Sequence, residues 1–168
     1  MSSDETWRQC YRELAPKLLL YARQWVPSQA DAEDVVQTAF VRFWKKHPGA
    51  AREHHALLFA AVRTIALDTL RGDERRAIRE NEPKAGVPRD GDPYFDLSVE
   101  RAEVAVAVER ALRQLPEDQR EVIVLKLWAD LTFQQIADAL GAPLNTVASR
   151  YRYALERLRE RMTAYERV

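Results

Sequence analysis

Apolar residues in this chain recur at steps of three and four, the period of a helix face, and no extended stretch alternates apolar with polar as a half-buried strand does. Trp7, Tyr11, Leu14, Leu18, Tyr21 and Trp25 make one such stripe, closed by Pro27. A second helix is expected from near Asp31, where Asp31, Glu33 and Asp34 give an acidic first turn suited to the positive end of a helix dipole. Its apolar face is Val36, Ala39, Phe40 and Phe43, and His47-Pro48-Gly49 ends it. Leu57 to Leu70 predicts a third, alanine-rich helix stopped by Gly72.

The pattern then lapses. Glu82 to Pro93 carries three prolines and two glycines in twelve residues, with nothing at helical spacing. Proline removes a backbone donor and keeps its predecessor out of the α region. Residues 76–100 are therefore read as a linker between an N-terminal domain, 1–75, and a C-terminal domain, 101–168. Periodicity resumes after Asp96 or Ser98, either of which suits a helix N-cap, and runs through Leu112 and Leu115. Pro116 falls just inside the start of the next helix, whose Val122, Ile123, Leu125 and Leu127 are strongly apolar. The fold class expected is all-α, two small helical domains joined by a linker.

Leu131 to Leu158, LTFQQIADALGAPLNTVASRYRYALERL, has the layout of a helix–turn–helix. Thr132 can cap a short helix bearing Ile136, Ala137 and Leu140. Gly141 supplies the positive φ of a tight turn, and Ala142-Pro143 prevents the first helix from continuing. Asn145 can cap the second helix, on which Val147, Tyr151, Ala154, Leu155 and Leu158 cluster to one side at roughly 100° per residue. The other side carries Asn145, Thr146, Ser149, Arg152 and Tyr153, flanked by Arg150 and Arg157. Such donor-rich side chains reach base edges and phosphates from a major groove.

Composition changes this picture in one respect. The 168 residues hold 26 Lys plus Arg and 26 Asp plus Glu, a formal charge of zero, which at first argues against a nucleic-acid partner. The charge is unevenly placed, however. Residues 117–138 hold five acids and two bases, net −3, and residues 145–161 hold five arginines and two glutamates, net +3. The field that matters for phosphate is local, because screening limits its reach to about 10 Å at 0.1 M salt.

Other classes drop out. No apolar run nears the ~18 residues of a membrane span, and the start, MSSDETWRQCYRE, lacks the basic-then-apolar layout of a secretory signal. A cytoplasmic protein without membrane insertion is expected. The single cysteine, Cys10, excludes an intramolecular disulfide and a Cys-only metal site, and its place on the first stripe reads as a small buried hydrophobe. His54 and His55 have no metal-ligand spacing, and no glycine-rich phosphate loop or nucleophile motif is present. Neither enzyme activity, metal nor cofactor is expected.

Taken together, the two domains resemble the extracytoplasmic-function (ECF, group IV) sigma factors of the bacterial sigma-70 family. DAEDVVQTAFVRFWK, Asp31–Lys45, resembles the region 2 helix that binds core RNA polymerase, and LLFAAVRTIALDTLR, Leu57–Arg71, the helix beside the −10 recognition site. Leu112 to Glu160 resembles region 4. The resemblance implies promoter-specific transcription initiation, with core contact on the clamp of the largest polymerase subunit through Asp31, Glu33, Asp34 and Gln37. It implies −10 DNA contacts by Arg63, Thr64, Asp68 and Arg71, and the loop from His47 to His55 together with the start of the third helix can form a pocket for an unstacked base. It further implies −35 DNA contacts by Asn145, Thr146, Ser149, Arg150, Arg152 and Tyr153. The flap of the second-largest subunit and an anti-sigma factor or other regulator are implied partners. Leu57, Thr64, Ala148 and Tyr153 depart from residues common in the family, which bears on the promoter sequence read. The alternative is a helix–turn–helix regulator that binds an operator without polymerase, which leaves the first domain with no role.

Overall fold

The computed structural model describes residues 3–48, 54–81, 93–95 and 102–167, which contain seven α-helices. They fall into two compact units, Met1–Asp92 and Pro93–Val168. Of the linker expected over 76–100, residues 76–79 are instead helical and 93–95 belong to the second unit. Residues 82–92, the caps Asp96 and Ser98, and most of the loop between His47 and His55 lie outside the described residues.

The first unit packs α1 (Ser3–Ala22), α2 (Gln29–Lys46) and α3 (His55–Arg79) against one another. Its core is the predicted stripes: Trp7, Leu14, Leu18, Tyr21 and Trp25 meet Val36, Ala39, Phe40 and Phe43, with Leu58, Phe59, Val62 and Ala66 added from α3. Aromatic rings meet edge to face, Trp7 with Phe40 at 5.6 Å and Tyr21 with Phe59 at 5.5 Å between centroids, the arrangement their quadrupoles favour. Cys10 is buried among them. Tyr11 lies on the rim of the stripe, more than a third exposed.

Two side chains invisible to hydrophobic patterning close α1. Arg23 is buried, and its Nη1 donates to the carbonyls of Val26 (3.0 Å) and Pro27 (2.7 Å). Gln24 Nε2 donates to Leu20 O at 2.9 Å. Gln24 thus satisfies a carbonyl of the last turn of α1, which the helix end leaves without a partner, and Arg23 satisfies two carbonyls of the connection that follows. The next helix is capped by Ser28, whose hydroxyl accepts from Asp31 N–H at 3.0 Å and donates to the Asp31 carboxylate at 2.7 Å.

The third helix does not stop at Gly72. It continues to Arg79 and ends where Asn81 takes φ 55°. A glycine inside a helix costs only about 1 kcal/mol, and the residues that follow are helix formers supported by pairs such as Arg76–Asp73 at 3.6 Å. Asparagine tolerates the left-handed conformation that terminates the helix.

The second unit comprises α4 (Ala102–Arg113), α5 (Glu117–Leu127), α6 (Phe133–Leu140) and α7 (Leu144–Glu166). Val122, Ile123, Val124 and Leu125 are all fully buried, so α5 is enclosed on several sides, although Leu127 at its end is exposed. Pro116 is the N-cap of α5 rather than its first helical residue, with ψ 145°. After α5, Asp130 adopts φ 56° and Leu131 N–H returns to Leu125 O at 3.1 Å.

Candidate nucleic-acid interface and protein-docking face

The helix–turn–helix forms as its local chemistry dictates. Thr132 Oγ1 accepts from Gln135 N–H at 3.1 Å while Gln135 Oε1 accepts from Thr132 N–H at 2.8 Å, a reciprocal capping box. Gly141 holds φ 62°, and Ala142 N–H closes the turn on Ala137 O at 3.1 Å. Ile136, Ala137, Val147 and Ala154 are buried between the helices. The second helix starts one residue earlier than its expected cap: Pro143 occupies the N-cap and Asn145 is already helical. Proline fits there because the first helical N–H groups have no acceptor within the helix.

On α7, Asn145, Arg152 and Tyr153 are exposed, while Thr146, Ser149 and Arg150 are half-buried. At roughly 100° per residue, Asn145, Ser149, Arg152 and Tyr153 share the side opposite Val147 and Ala154. The Arg152 guanidinium lies 5.1 Å over the Tyr153 ring. Arg150 stands apart on the flank, where its Nε meets Asp118 Oδ2 at 3.4 Å. Glu156 falls on the same side as Asn145 and Ser149, two to three turns on, and is exposed. Arg159, seven residues after Arg152, returns to that side beyond it and is also exposed.

In the first unit, α3 aligns Thr64, Asp68 and Arg71 on one outward stripe with exposed Leu57, and sets Arg63, half-buried, about a quarter turn aside. Thr64 Oγ1 donates to Ala60 O at 3.0 Å, and Asp68 pairs with Arg71 at 3.7 Å. Because the helix runs on past Gly72, Arg75 joins this stripe, its Nε donating to Arg71 O at 3.3 Å. A helix assumed to end at Gly72 hides that residue. His47 and His54, on either side of the loop, stack with centroids 5.5 Å apart. No group of three or more His, Cys, Asp or Glu able to hold a metal occurs among the described residues.

On α2 the four candidate contacts separate. Glu33, Asp34 and Gln37 are exposed on one side, whereas Asp31 lies elsewhere around the helix and is engaged in the Ser28 cap. Val41 and Trp44 complete the Glu33–Gln37 side, 49% and 44% exposed. With Phe40, they and Gln37 border a groove of about 540 Å³ whose other wall is Asp4, Trp7, Arg8, Tyr11 and Arg12 of α1. Sequence patterning passes over Val41 and Trp44 because it assigns apolar residues to the core. Their positions seven residues after Asp34 and after Gln37 are the signal that places them on this face.

Residues 10–76 match the sigma-70 region 2 family and residues 105–158 match sigma-70 region 4. The RNA polymerase sigma-E factor of Streptomyces avermitilis is 34% identical over 145 residues, 86% of this chain and 78% of that protein. The ECF RNA polymerase sigma factor SigL of Mycobacterium tuberculosis is 33% identical over 156 residues, 90% of this chain and 86% of that one. The chain belongs to the ECF sigma factors. As such it directs RNA polymerase to promoters, and the presence of both regions decides against a stand-alone operator-binding regulator. The sigma factor also resembles RpoE of Bartonella quintana, solved in complex with the anti-sigma factor NepR, with TM-score 0.68 and 25% identity over 93% of this chain and 96% of that one. No helix among its described residues is long and apolar enough to cross a membrane.

Proposed function

We propose that this sigma factor divides promoter recognition between its two units. Asn145, Thr146, Ser149, Arg152 and Tyr153 at the start of α7 read the −35 element in the major groove, with Arg150 holding a flanking phosphate. The α3 stripe of Thr64, Asp68, Arg71 and Arg75, with Arg63 beside it, lies against the −10 element, where bases leave the stack as the duplex opens. Glu33, Asp34 and Gln37, with Val41 and Trp44, dock on the clamp of the largest polymerase subunit, and the region 4 unit reaches the flap of the second-largest. The protein works in the cytoplasm without catalytic chemistry of its own, bond formation belonging to the polymerase. An anti-sigma factor or other regulator is its natural antagonist, by analogy with RpoE and NepR.

The observation that carries this reading is the polar, donor-rich start of α7 on a capped helix–turn–helix, in a chain whose other unit presents a separate exposed face. Near-zero net charge fits it, since a protein whose local positive charge is concentrated on one helix needs polymerase to hold it on DNA. Run-off transcription with purified core enzyme on a promoter library tests the whole scheme. Transcripts that begin downstream of one enriched pair of elements are expected. A library profile identical to that of core alone sinks the proposal, as does failure to co-elute with core on size exclusion at micromolar concentration.

A further inference from the structure

The third helix outruns the core it belongs to. Its buried residues, Leu58, Phe59, Val62 and Ala66, all lie in its first half. Beyond Leu70 only the small residues Gly72 and Ala77 are partly buried, and Ile78 is 65% exposed. The turns from Arg71 to Arg79 therefore add nothing to the interior of the first unit. They carry four arginines instead.

Three of these form a ladder. At roughly 100° per residue, Arg71, Arg75 and Arg79 share the side that bears Thr64 and Asp68, and all three are exposed. They stand about 6 Å apart and span about 12 Å at 1.5 Å per residue, the length of roughly three to four base-pair steps at ~3.4 Å each. Arg75 lies along the ladder, its Nε donating to Arg71 O at 3.3 Å. Arg79 has no carboxylate partner among the described residues. Of the nearby acids, Asp73 is paired with Arg76 at 3.6 Å on another side, and Glu74 falls on a flank. Asp68, 3.7 Å from Arg71, is the one acid of α3 on the ladder side.

We propose that this ladder grips the sugar–phosphate backbone of the paired DNA immediately upstream of the −10 element. This rests on the placement of the α3 stripe against that element proposed above. Charge and position select the occupant. The ladder continues a stripe that already lies along DNA, and three guanidiniums at this pitch suit a run of phosphates. Leu57 and Arg79 are 22 positions apart (79 − 57), or about 33 Å along the helix. Opening proceeds from the −10 element toward the start site, so when the start of α3 meets an unstacked base, its far end still faces duplex. Phosphate contacts carry no sequence information, so the ladder adds affinity for upstream DNA of any sequence.

Arg79→Ala replaces an exposed residue outside the core with a better helix former, so the variant is expected to fold, which circular dichroism checks. Full-length protein with core enzyme is titrated, across a salt series, against a fork-junction copy of an active library promoter that keeps both elements. Arg79→Ala should bind about threefold to tenfold more weakly at about 0.1 M salt, and lower the slope of log K against log salt by about one. Arg79→Lys should keep most of that slope. Arg76→Ala, on another side of the same turns, should match wild type within about twofold. A second template carries neutral methylphosphonate linkages over the first few base pairs upstream of the −10 element. Neutralisation should weaken wild type at least as much as Arg79→Ala does, and should cost Arg79→Ala measurably less. Equal losses for both proteins on that template, or wild-type affinity of Arg79→Ala at every salt concentration, overturn the ladder while leaving the promoter reading intact. Weaker binding of Arg79→Ala to core enzyme without DNA assigns the residue to polymerase and overturns it too. Wild type that prefers this promoter no more than a scrambled one overturns the promoter reading itself.

Discussion

Arg150 and Asp118 meet within the second unit, Nε of one 3.4 Å from Oδ2 of the other, their side chains 32% and 52% exposed. The opposite carboxylate oxygen of Asp118 accepts the Gln119 N–H at 2.9 Å, which ties it to the first turn of α5. The Arg150 guanidinium on the flank of α7 is therefore oriented by a carboxylate from another helix, and in the proposed reading its two Nη groups meet phosphate. Solvent at both groups keeps the pair's contribution to stability below about 1 kcal/mol. Its consequence is for orientation.

Asp118→Asn should leave stability nearly unchanged and shift DNA affinity without changing sequence preference. Loss of a negative charge beside the interface raises affinity for any duplex at low salt, while a less constrained Arg150 weakens one phosphate contact. The ratio of affinities for a −35 duplex and a scrambled one is expected to hold, because phosphate contacts carry no sequence information. Fluorescence anisotropy across a salt series measures both quantities. A ratio that falls about tenfold would show that Arg150 reads a base rather than a phosphate.

Trp44 and Asp31 on α2 should behave oppositely. Trp44→Ala removes a large exposed side chain, so folding stability should change by less than about 1 kcal/mol. Binding to core polymerase should weaken about 30-fold or more, the scale of an aromatic interface anchor. Asp31→Ala removes part of a cap, so stability should fall by about 1 kcal/mol with core affinity little changed. Titration of labelled protein with core enzyme, alongside urea unfolding, separates the two. Wild-type affinity in Trp44→Ala would remove the apolar part of the docking face.

Arg23→Met keeps much of the buried volume but strips the Val26 and Pro27 carbonyls of their donor. Destabilisation of the first unit by about 2–4 kcal/mol is expected. It should appear as a lower urea midpoint for that unit with the slope preserved.

The two described glycines should respond with opposite signs to the same change. At neither would an added Cβ meet a neighbour within 4 Å, so backbone conformation alone decides. Gly72 lies within a helix, and Gly72→Ala should stabilise α3 by about 0.5–1 kcal/mol. Gly141 holds φ 62°, and Gly141→Ala should destabilise the second unit by about 1–2 kcal/mol. Thermal unfolding followed by circular dichroism reads both changes. Equal signs would contradict the assigned conformations.

How far each feature was legible before folding follows from its range along the chain. Helical periodicity, the Thr132 cap and the Gly141 turn depend on residues within about four positions of one another, and all appear as read. Gly72 misled because a single glycine was weighed alone, whereas helix formers extending to Arg79 outweigh its small penalty. That error concealed Arg75, which joins the α3 stripe only when the helix continues.

The sequence by itself determined an all-helical chain in two parts, a helix–turn–helix with a polar outer face, and membership of the ECF sigma factors. Only the tertiary structure decided which polar groups remain available. It commits Asp31 to Ser28, pairs Arg150 with Asp118, buries Arg23, exposes Val41 and Trp44, and fastens Tyr94 to a Glu109–Arg113 pair. The reason is geometric. Periodicity assigns a residue to a side of its own helix, but its burial and its partner depend on what packs or stops short of packing against that side. Arg150 and Asp118 are 32 positions apart (150 − 118), and no local pattern along the chain brings them together.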